Sequence, residues 1–308
     1  MQAVLVLGIL LLLPMRLLAQ DTPIGAVGME IATEETPAAA ANTDALRKAT
    51  QNPVASLISV PIQNNNNFGV GPDDRVQNVL NIQPVIPVRV SENWNLITRI
   101  ITPIIYQPTV SQPVNQGAFG FGDMNPSFFF SPAKPGKIIW GAGPTVVLPT
   151  ATNSVLGLGK WSAGPTVVVL AQPGKWTVGA LVNNAWSFAG QSSRRDVNQM
   201  LFQYFINYNL QKGWFLTWQP ILTANWQNTN GGRWVVPLGG GVGRIMKIGF
   251  QPVSLTAQFY GNAVHPPGAS PWGMRLQISF LFPKLSNAQK KALLQQNLKQ
   301  LEQQQGQK

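Results

Sequence analysis

Between Trp214 and Trp226 the chain alternates between two sets of positions. One set is Trp214, Leu216, Trp218, Pro220, Leu222, Ala224 and Trp226, and the other is Phe215, Thr217, Gln219, Ile221, Thr223 and Asn225. Successive side chains of a strand point to opposite faces, so this period predicts a strand with one apolar face. A strand of this length tilted by ~45° rises roughly 28 Å, about the thickness of a bilayer hydrocarbon core. Tryptophan at both ends favours a membrane-spanning strand.

The pattern recurs and predicts twelve strands. They cover residues 54–62, 76–90, 94–106, 119–131, 138–149, 160–171, 175–188, 197–210, 214–226, 233–243, 247–260 and 272–283. The odd-numbered connections are long (63–75, 107–118, 150–159, 189–196, 227–232 and 261–271), whereas the intervening ones are short. An even strand number with long and short connections in alternation is typical of bacterial outer-membrane barrels. We predict an all-β fold, a single antiparallel transmembrane β-barrel with flexible or helical terminal extensions.

Two local features modify this pattern. The segment from Trp140 to Leu148 (WGAGPTVVL) recurs from Trp161 to Val169 (WSAGPTVVV), which indicates a duplicated strand unit. Prolines within predicted strands each remove a hydrogen-bond donor, so we expect bulges facing the lumen there. These prolines are Pro84, Pro87, Pro103, Pro144, Pro165, Pro220, Pro237 and Pro252.

Composition agrees with a barrel. Charged residues make up 11% of the chain, against ~25% in soluble domains. No apolar run after the N-terminus reaches the ~18 residues of a helical span. Cysteine is absent, which excludes disulfides and thiol catalysis. The net charge of +11 is scattered without a basic motif, which disfavours nucleic acid as a partner and favours lipopolysaccharide phosphates or anionic solutes.

The sequence divides into four regions. Residues 1–19 resemble a signal peptide for the Sec pathway, with a short membrane anchor as the alternative. Residues 20–51 are predicted to be a flexible periplasmic segment in which Thr43 and Asp44 cap a short helix through Lys48. The barrel covers 52–283, and 284–308 form a Gln- and Lys-rich helical tail, either solvated or in a partner-binding coiled coil. We expect insertion into the outer membrane of a Gram-negative-type bacterium by the barrel-assembly machinery.

Candidates for chemistry are few. A lipid hydrolase of this fold needs a histidine hydrogen-bonded to a serine. The single histidine, His265, lies in a predicted loop five residues before Ser270, with two prolines between them. Asp73 and Asp74 with the Asn64–Asn67 run could offer oxygen ligands to calcium, although a solvated loop fits better. The glycines from Gly239 to Gly243 lack the Lys-Ser/Thr of a phosphate loop. We predict no catalytic residues, no metal and no cofactor.

The predicted solute path is the barrel lumen. Strand parity places there Arg89, Asn95, Arg99, Asp123, Gln199, Gln203, Asn207, Gln219 and Arg275, together with Gln83, Asn225 and Gln277. Arg99 and Asp123 are expected to pair across a hairpin, either to lock two strands or to form a constriction. At the membrane interfaces we expect Trp94, Trp140, Trp161, Trp176, Trp214, Trp226, Trp234 and Trp272.

Several motifs carry a resemblance to a known family. They are the run from Gln51 to Pro61 (QNPVASLISVP), WNLITR from Trp94 to Arg99, GFGD from Gly120 to Asp123, LPTAT from Leu148 to Thr152, and the paired W-x-A-G-P motifs. Together they resemble, over residues 51–283, the outer-membrane barrel family named for the meta-pathway of phenol degradation. The resemblance implies a transporter or channel without catalytic residues. We expect passage of small solutes: the amide-lined lumen favours polar or mixed ones, whereas the family name favours hydrophobic or aromatic ones. The alternatives are a structural or adhesive barrel with a closed lumen and an outer-membrane lipid hydrolase.

Overall fold

The computed structural model describes residues 37–109, 117–229, 232–249 and 251–283, with side chains from Thr43 onward. It contains one helix, α1 (Pro37–Thr50), and fifteen strand segments. The segments are β1 (Ile58–Val70), β2 (Arg75–Ile82), β3 (Val85–Arg89), β4 (Trp94–Gln107), β5 (Ala118–Phe121), β6 (Asn125–Pro132), β7 (Ile138–Val147), β8 (Lys160–Ala171), β9 (Trp176–Gly190), β10 (Asn198–Asn209), β11 (Trp214–Trp218), β12 (Ile221–Asn225), β13 (Trp234–Ile248), β14 (Gln251–Val264) and β15 (Trp272–Phe282). The predicted signal peptide and C-terminal tail lie outside the described residues.

The fifteen segments form a closed antiparallel barrel of twelve strands. Three strands are interrupted: β2 and β3 form one, β5 and β6 another, and β11 and β12 a third. Closure occurs between the first and last strands, with β1 and β15 in register from Ile58↔Phe282 to Phe68↔Trp272. The predicted fold class is therefore confirmed. No helix in the described part of the chain is long and apolar enough to cross a membrane.

The connections differ between the two ends of the barrel. The short turns are 90–93, 133–137, 172–175, 210–213 and 249–250, and the end that carries them is the short-turn end. The opposite end, the long-loop end, carries the longer connections at 148–159, 191–197 and 265–271. It also carries the four-residue turn 71–74, so the long connection predicted at 63–75 is wrong. In outer-membrane barrels short turns face the periplasm and long loops face outward, which fixes the orientation of the protein.

The first strand differs most from its prediction. β1 begins at Ile58 and runs through the asparagines to Val70, whereas the sequence predicts a strand at 54–62 followed by a loop. The asparagines can occupy a strand because their amides bond across it: Asn78 donates to Asn64 and Asn66 at 3.0 and 2.8 Å. These three side chains share the outward face with Leu276, which is paired with Asn64. The earlier residues are free to enter the lumen.

Aromatic residues mark both ends of the outward face. Each of the eight tryptophans expected at the interfaces lies at or near a strand end: Trp94, Trp140, Trp176 and Trp214 at the short-turn end, and Trp161, Trp226, Trp234 and Trp272 at the long-loop end. Trp94 packs edge-on against Trp140, with centroids 5.8 Å apart, and Trp272 stacks on Phe68 at 4.1 Å. Such girdles are typical of transmembrane barrels.

The prolines are accommodated in two ways. Pro84 and Pro220 lie in the breaks between β2 and β3 and between β11 and β12, where no ladder donor is required. Pro144 and Pro165 occupy equivalent positions of the two sequence repeats and lie opposite each other in the β7–β8 pair. The duplicated units are thus neighbouring antiparallel strands. The expected lumenal bulges are replaced at Pro84 and Pro220 by full interruptions of the strand.

Candidate functional site: the barrel lumen

The wall of the lumen has two different halves. Inward side chains of β4, β6, β8, β9 and β10 form an apolar cluster that also includes one residue from before the barrel: Val54, Ile97, Phe129, Val168, Leu170, Leu181 and Phe205. Inward side chains of β1, β2, β14 and β15 are mostly polar instead, although Pro61 and Val79 also face inward. The polar ones include Gln63, Asn65, Gln77, Asn81, Gln258, Tyr260, Arg275, Gln277 and Ser279. The first half is a packed core, whereas the second offers hydrogen bonds.

The segment before β1 closes part of the short-turn end. Arg47 of α1 is buried and its Nη1 donates to the carbonyl of Leu210 at 2.8 Å. Gln51 follows α1 and bonds at 2.8 Å to two inward side chains, donating to Asn209 and accepting from Thr177. Val54 then enters the apolar cluster. We name residues 43–57 the lumenal segment. The sequence predicts flexibility through residue 51, so the docking of Arg47 and Gln51 differs from that prediction.

Arg275 of β15 organises the polar half. Its Nε donates to Asn65 and its Nη1 to the main-chain carbonyl of Gln219, both at 3.0 Å. Its guanidinium lies over the ring of Tyr260, 4.9 Å from the centroid. The Tyr260 hydroxyl in turn donates to Gln258. Three strands, β1, β14 and β15, and the break between β11 and β12 thus contribute to one connected polar cluster.

Arg99 of β4 lies at the boundary between the two halves. Its Nη2 donates to Gln83 Oε1 at 2.6 Å. It shares the inward face of β4 with Ile97 of the apolar cluster, and its ladder partner Val85 packs against that cluster. Arg99 on β4 and Arg275 on β15 both project from the inward faces of their strands.

The break between β11 and β12 brings Gln219 into the polar cluster around Arg275. Pro220 has no N–H, so the ladder is interrupted and Gln219 is released from the strand pairing. Its side chain donates to Asn207 at 3.1 Å while its carbonyl accepts from Arg275. The local sequence therefore creates an inward projection of the wall.

The structure places the other predicted lumen residues at different depths. Asn95 faces inward and donates to Ser56 of the lumenal segment at 3.2 Å. Gln203 faces inward on β10, and Gln199 lies toward the long-loop end of the same strand. Arg89 ends β3 opposite the inward Asn95 in the ladder, and it is exposed at the short-turn end, where it donates to the carbonyls of Ser91 and Glu92.

The predicted pair of Arg99 and Asp123 is wrong. Arg99 lies opposite Ser127 in the ladder, and Asp123 lies in the break between β5 and β6. The Asp123 carboxylate accepts from the backbone N–H groups of Ala151 and Leu158, at 3.1 and 2.6 Å. It is an anchor for the 148–159 loop.

That anchor joins two of the sequence motifs. Thr150 Oγ1 accepts from Met124 N at 2.9 Å, and Thr152 Oγ1 accepts from Phe121 N at 3.1 Å. The GFGD and LPTAT motifs therefore hold each other. From the next loop, Arg194 donates to the carbonyls of Ser154 and Gly157. These hydrogen bonds thus hold the 148–159 loop against the β5–β6 break and the 191–197 loop.

The candidates for chemistry lie apart from the lumen cluster. His265 Nδ1 lies 3.0 Å from the carbonyl of Pro266, and Ser270 Oγ lies 2.6 Å from the carbonyls of Phe68 and Trp272. In the described ranges no three acidic or histidine side chains are grouped as metal ligands. Gly241 and Gly243 lie on the inward face of β13, where an added Cβ at Gly243 would meet the ring of Phe215 at 2.2 Å.

The sequence-based prediction misses several lumen residues, for different reasons. Asn65 was hidden because an asparagine run resembles a loop, although alternation with Gln63 on β1 would have found it. Tyr260 and Gln258 follow the parity of β14 and could have been found. Arg47, Gln51 and Val54 precede the barrel, and no periodic signal connects them to their partners.

Comparison with known proteins supports the fold. No protein-family model matches the sequence, and neither does any curated protein, so the resemblance to the phenol-degradation family stays a prediction. The structure is similar to an outer-membrane channel of Pseudomonas putida F1, with a TM-score of 0.54 and 15% identity, covering 73% of this chain and 94% of that chain. It is less similar to the monoaromatic hydrocarbon channel CymD (TM-score 0.43, 10% identity, covering 78% and 93%) and to the outer-membrane phospholipase of Salmonella typhi (TM-score 0.40, 13% identity, covering 73% and 91%). This chain has the fold of an outer-membrane β-barrel.

Proposed function

We propose that this protein is a passive channel for small solutes across the outer membrane, including hydrophobic or aromatic ones. The observation that carries the proposal is the unequal filling of the lumen. Ile97, Phe129 and Val168 on one side are at most 1% exposed, as in a protein core. On the other side the inward Asn81, Gln203 and Gln277 remain partly exposed. Partly exposed inward amides indicate a water-accessible space beside the packed half.

The lumenal segment supports the same proposal. It is held in the barrel by side-chain and backbone hydrogen bonds and by the burial of Val54, and it pairs with no strand. Contacts of this kind break at a lower cost than a strand ladder. The segment can therefore narrow the passage without being part of the barrel wall.

The comparisons and the sequence resemblance agree with a channel. The protein of Pseudomonas putida F1 is described as an outer-membrane channel, and the family that the motifs resemble is named for aromatic degradation. A hydrolase would need His265 to orient a serine, and instead His265 Nδ1 lies by the Pro266 carbonyl. A structural barrel with a closed lumen is the remaining alternative.

Surface partners follow from the orientation. The outward face requires a lipid bilayer, as other outer-membrane barrels do. We propose that lipopolysaccharide phosphates contact basic residues of the long-loop end such as Arg233, whose guanidinium lies 5.6 Å from the ring of Trp226. We also propose that the barrel-assembly machinery recognises β15, which ends in Phe282.

Liposome swelling tests the proposed function. Proteoliposomes with the folded protein should swell in isosmotic solutions of small uncharged solutes, with rates that fall as the solute grows. Swelling with small aromatic alcohols would support the aromatic preference. A rate equal to that of empty liposomes for every solute would favour the closed barrel instead.

A further inference from the structure

The two lumenal arginines carry positive charge, and no acidic side chain in the described part of the chain pairs with either of them. In the described ranges the acidic residues are Asp44, Asp73, Asp74, Glu92, Asp123 and Asp196, all in α1, turns, loops or strand breaks. The three ion pairs found there are Arg47–Asp44, Arg75–Asp73 and Lys160–Asp196. Arg99 and Arg275 take part in none of them. Charges withdrawn from bulk water are costly without a counter-charge.

Both arginines also keep donors for a ligand. A guanidinium has five N–H donors. Within the described part of the chain, Arg99 uses one of them, toward Gln83. Arg275 uses Nε and Nη1 toward Asn65, Gln219 and Tyr260, and its Nη2 has no protein partner there. Arg99 is partly exposed, and in the described ranges none of the unused nitrogens is among the buried side-chain atoms without a partner.

The residues around Arg99 favour a solute that has an apolar part as well as a negative charge. Arg99 shares its face of β4 with Ile97, and Val85 opposite packs on the apolar cluster. A solute bound at Arg99 can therefore place an apolar body against one half of the lumen while its anionic group faces Arg275. Planar forks of this kind match a carboxylate in two-point hydrogen bonding.

We propose that Arg99 and Arg275 form a lumenal subsite for monocarboxylates with an apolar body, with benzoate as the simplest probe. This inference rests on the proposed function for its biological meaning, since it names the solute class of the channel. Binding itself needs only the folded barrel, so the two can fail separately.

Calorimetry on the full-length protein folded in detergent tests the subsite directly. The wild type should bind benzoate, and Arg99→Gln should weaken the binding about tenfold, as expected for one lost charge-assisted hydrogen bond. Arg99→Lys should retain part of the affinity because it keeps the charge. Arg195→Gln removes an exposed loop arginine and should leave the binding unchanged. Benzamide, which has nearly the same shape and no charge, should bind all four proteins weakly and equally.

The outcomes separate the two proposals. Benzoate bound equally by the wild type and by folded Arg99→Gln would overturn the subsite, as would equal affinities for benzoate and benzamide in the wild type. Benzoate binding that depends on Arg99, in a protein that conducts no ions, would retain the subsite and refute the channel. Should Arg275→Gln fail to fold, the Arg99 series still decides, because Arg99 makes a single side-chain bond.

Discussion

The guanidinium of Arg275 on β15 donates to the main-chain carbonyl of Gln219 at 3.0 Å, although β13 and β14 lie between their strands in the sheet. The bond satisfies a carbonyl in the break before Pro220 and fixes the inward projection of the wall. A side chain of the last strand thus stabilises an interruption in the middle of the chain.

Loss of this bond should destabilise the barrel. Arg275→Gln removes this bond together with those to Asn65 and Tyr260, and it should lower the free energy of unfolding by at least about 1.5–3 kcal/mol, the usual range for one hydrogen bond to a charged group. Gln219→Ala is the matched control, because it keeps the backbone carbonyl and removes only the bond to Asn207. Urea unfolding in lipid vesicles measures both. Equal losses for the two variants would contradict the role of the backbone contact.

The lumenal segment should respond to a charge at Val54. Val54→Asp places a carboxylate in the apolar cluster and should undock the segment by on the order of 3 kcal/mol or more. The barrel should remain folded, and its single-channel conductance should rise. Ser56→Thr, which keeps the hydroxyl that accepts from Asn95, should leave conductance close to that of the wild type. A lower conductance in Val54→Asp would argue against a docked segment that narrows the passage.

The loop anchor should depend on Asp123. Asp123→Ala removes the acceptor of two backbone N–H groups, so the 148–159 loop should open and chymotrypsin should cleave it near Leu156. Asp73→Ala removes only a partner of Arg75, in an ion pair whose side chains are 49% and 62% exposed, a pair worth ~0–1 kcal/mol. It should leave the loop resistant. Equal protection of the loop in both variants would mean that the Arg194 contacts suffice.

Strand parity can be tested with two neighbouring residues of β12. Leu222 is paired with the outward Phe202, and Thr223 with the inward Leu201. Leu222→Arg should cost ~2–4 kcal/mol if it lies near the bilayer centre, whereas lumenal substitutions chiefly change selectivity. Thr217 is also inward but fully buried, so Thr223→Arg is the better partner for comparison. A larger folding defect in Thr223→Arg would invert the two faces.

The sequence predicts the barrel better than it predicts the lumen. Alternation locates β8 at its observed bounds because each side chain there faces either lipid or the interior. It fails at β1, where Asn64 and Asn66 have turn propensity but accept hydrogen bonds from the amide of Asn78 on the neighbouring β2. The sequence pattern predicts the wrong partner for Arg99 because the β5–β6 break moves Asp123 out of the ladder. Val54 meets Phe129 through tertiary packing alone, which no local pattern records.

The most direct test of solute passage is single-channel recording of two adjacent substitutions on β10. Gln203 is inward and Phe202 is outward, so Gln203→Trp adds bulk to the lumen while Phe202→Trp adds similar bulk to the lipid face. In planar bilayers the account predicts conductance by the wild type, a similar conductance for Phe202→Trp, and a clearly smaller one for Gln203→Trp, with all three proteins showing heat-modifiable mobility. No conductance by the wild type, or an unchanged conductance in Gln203→Trp, would contradict it.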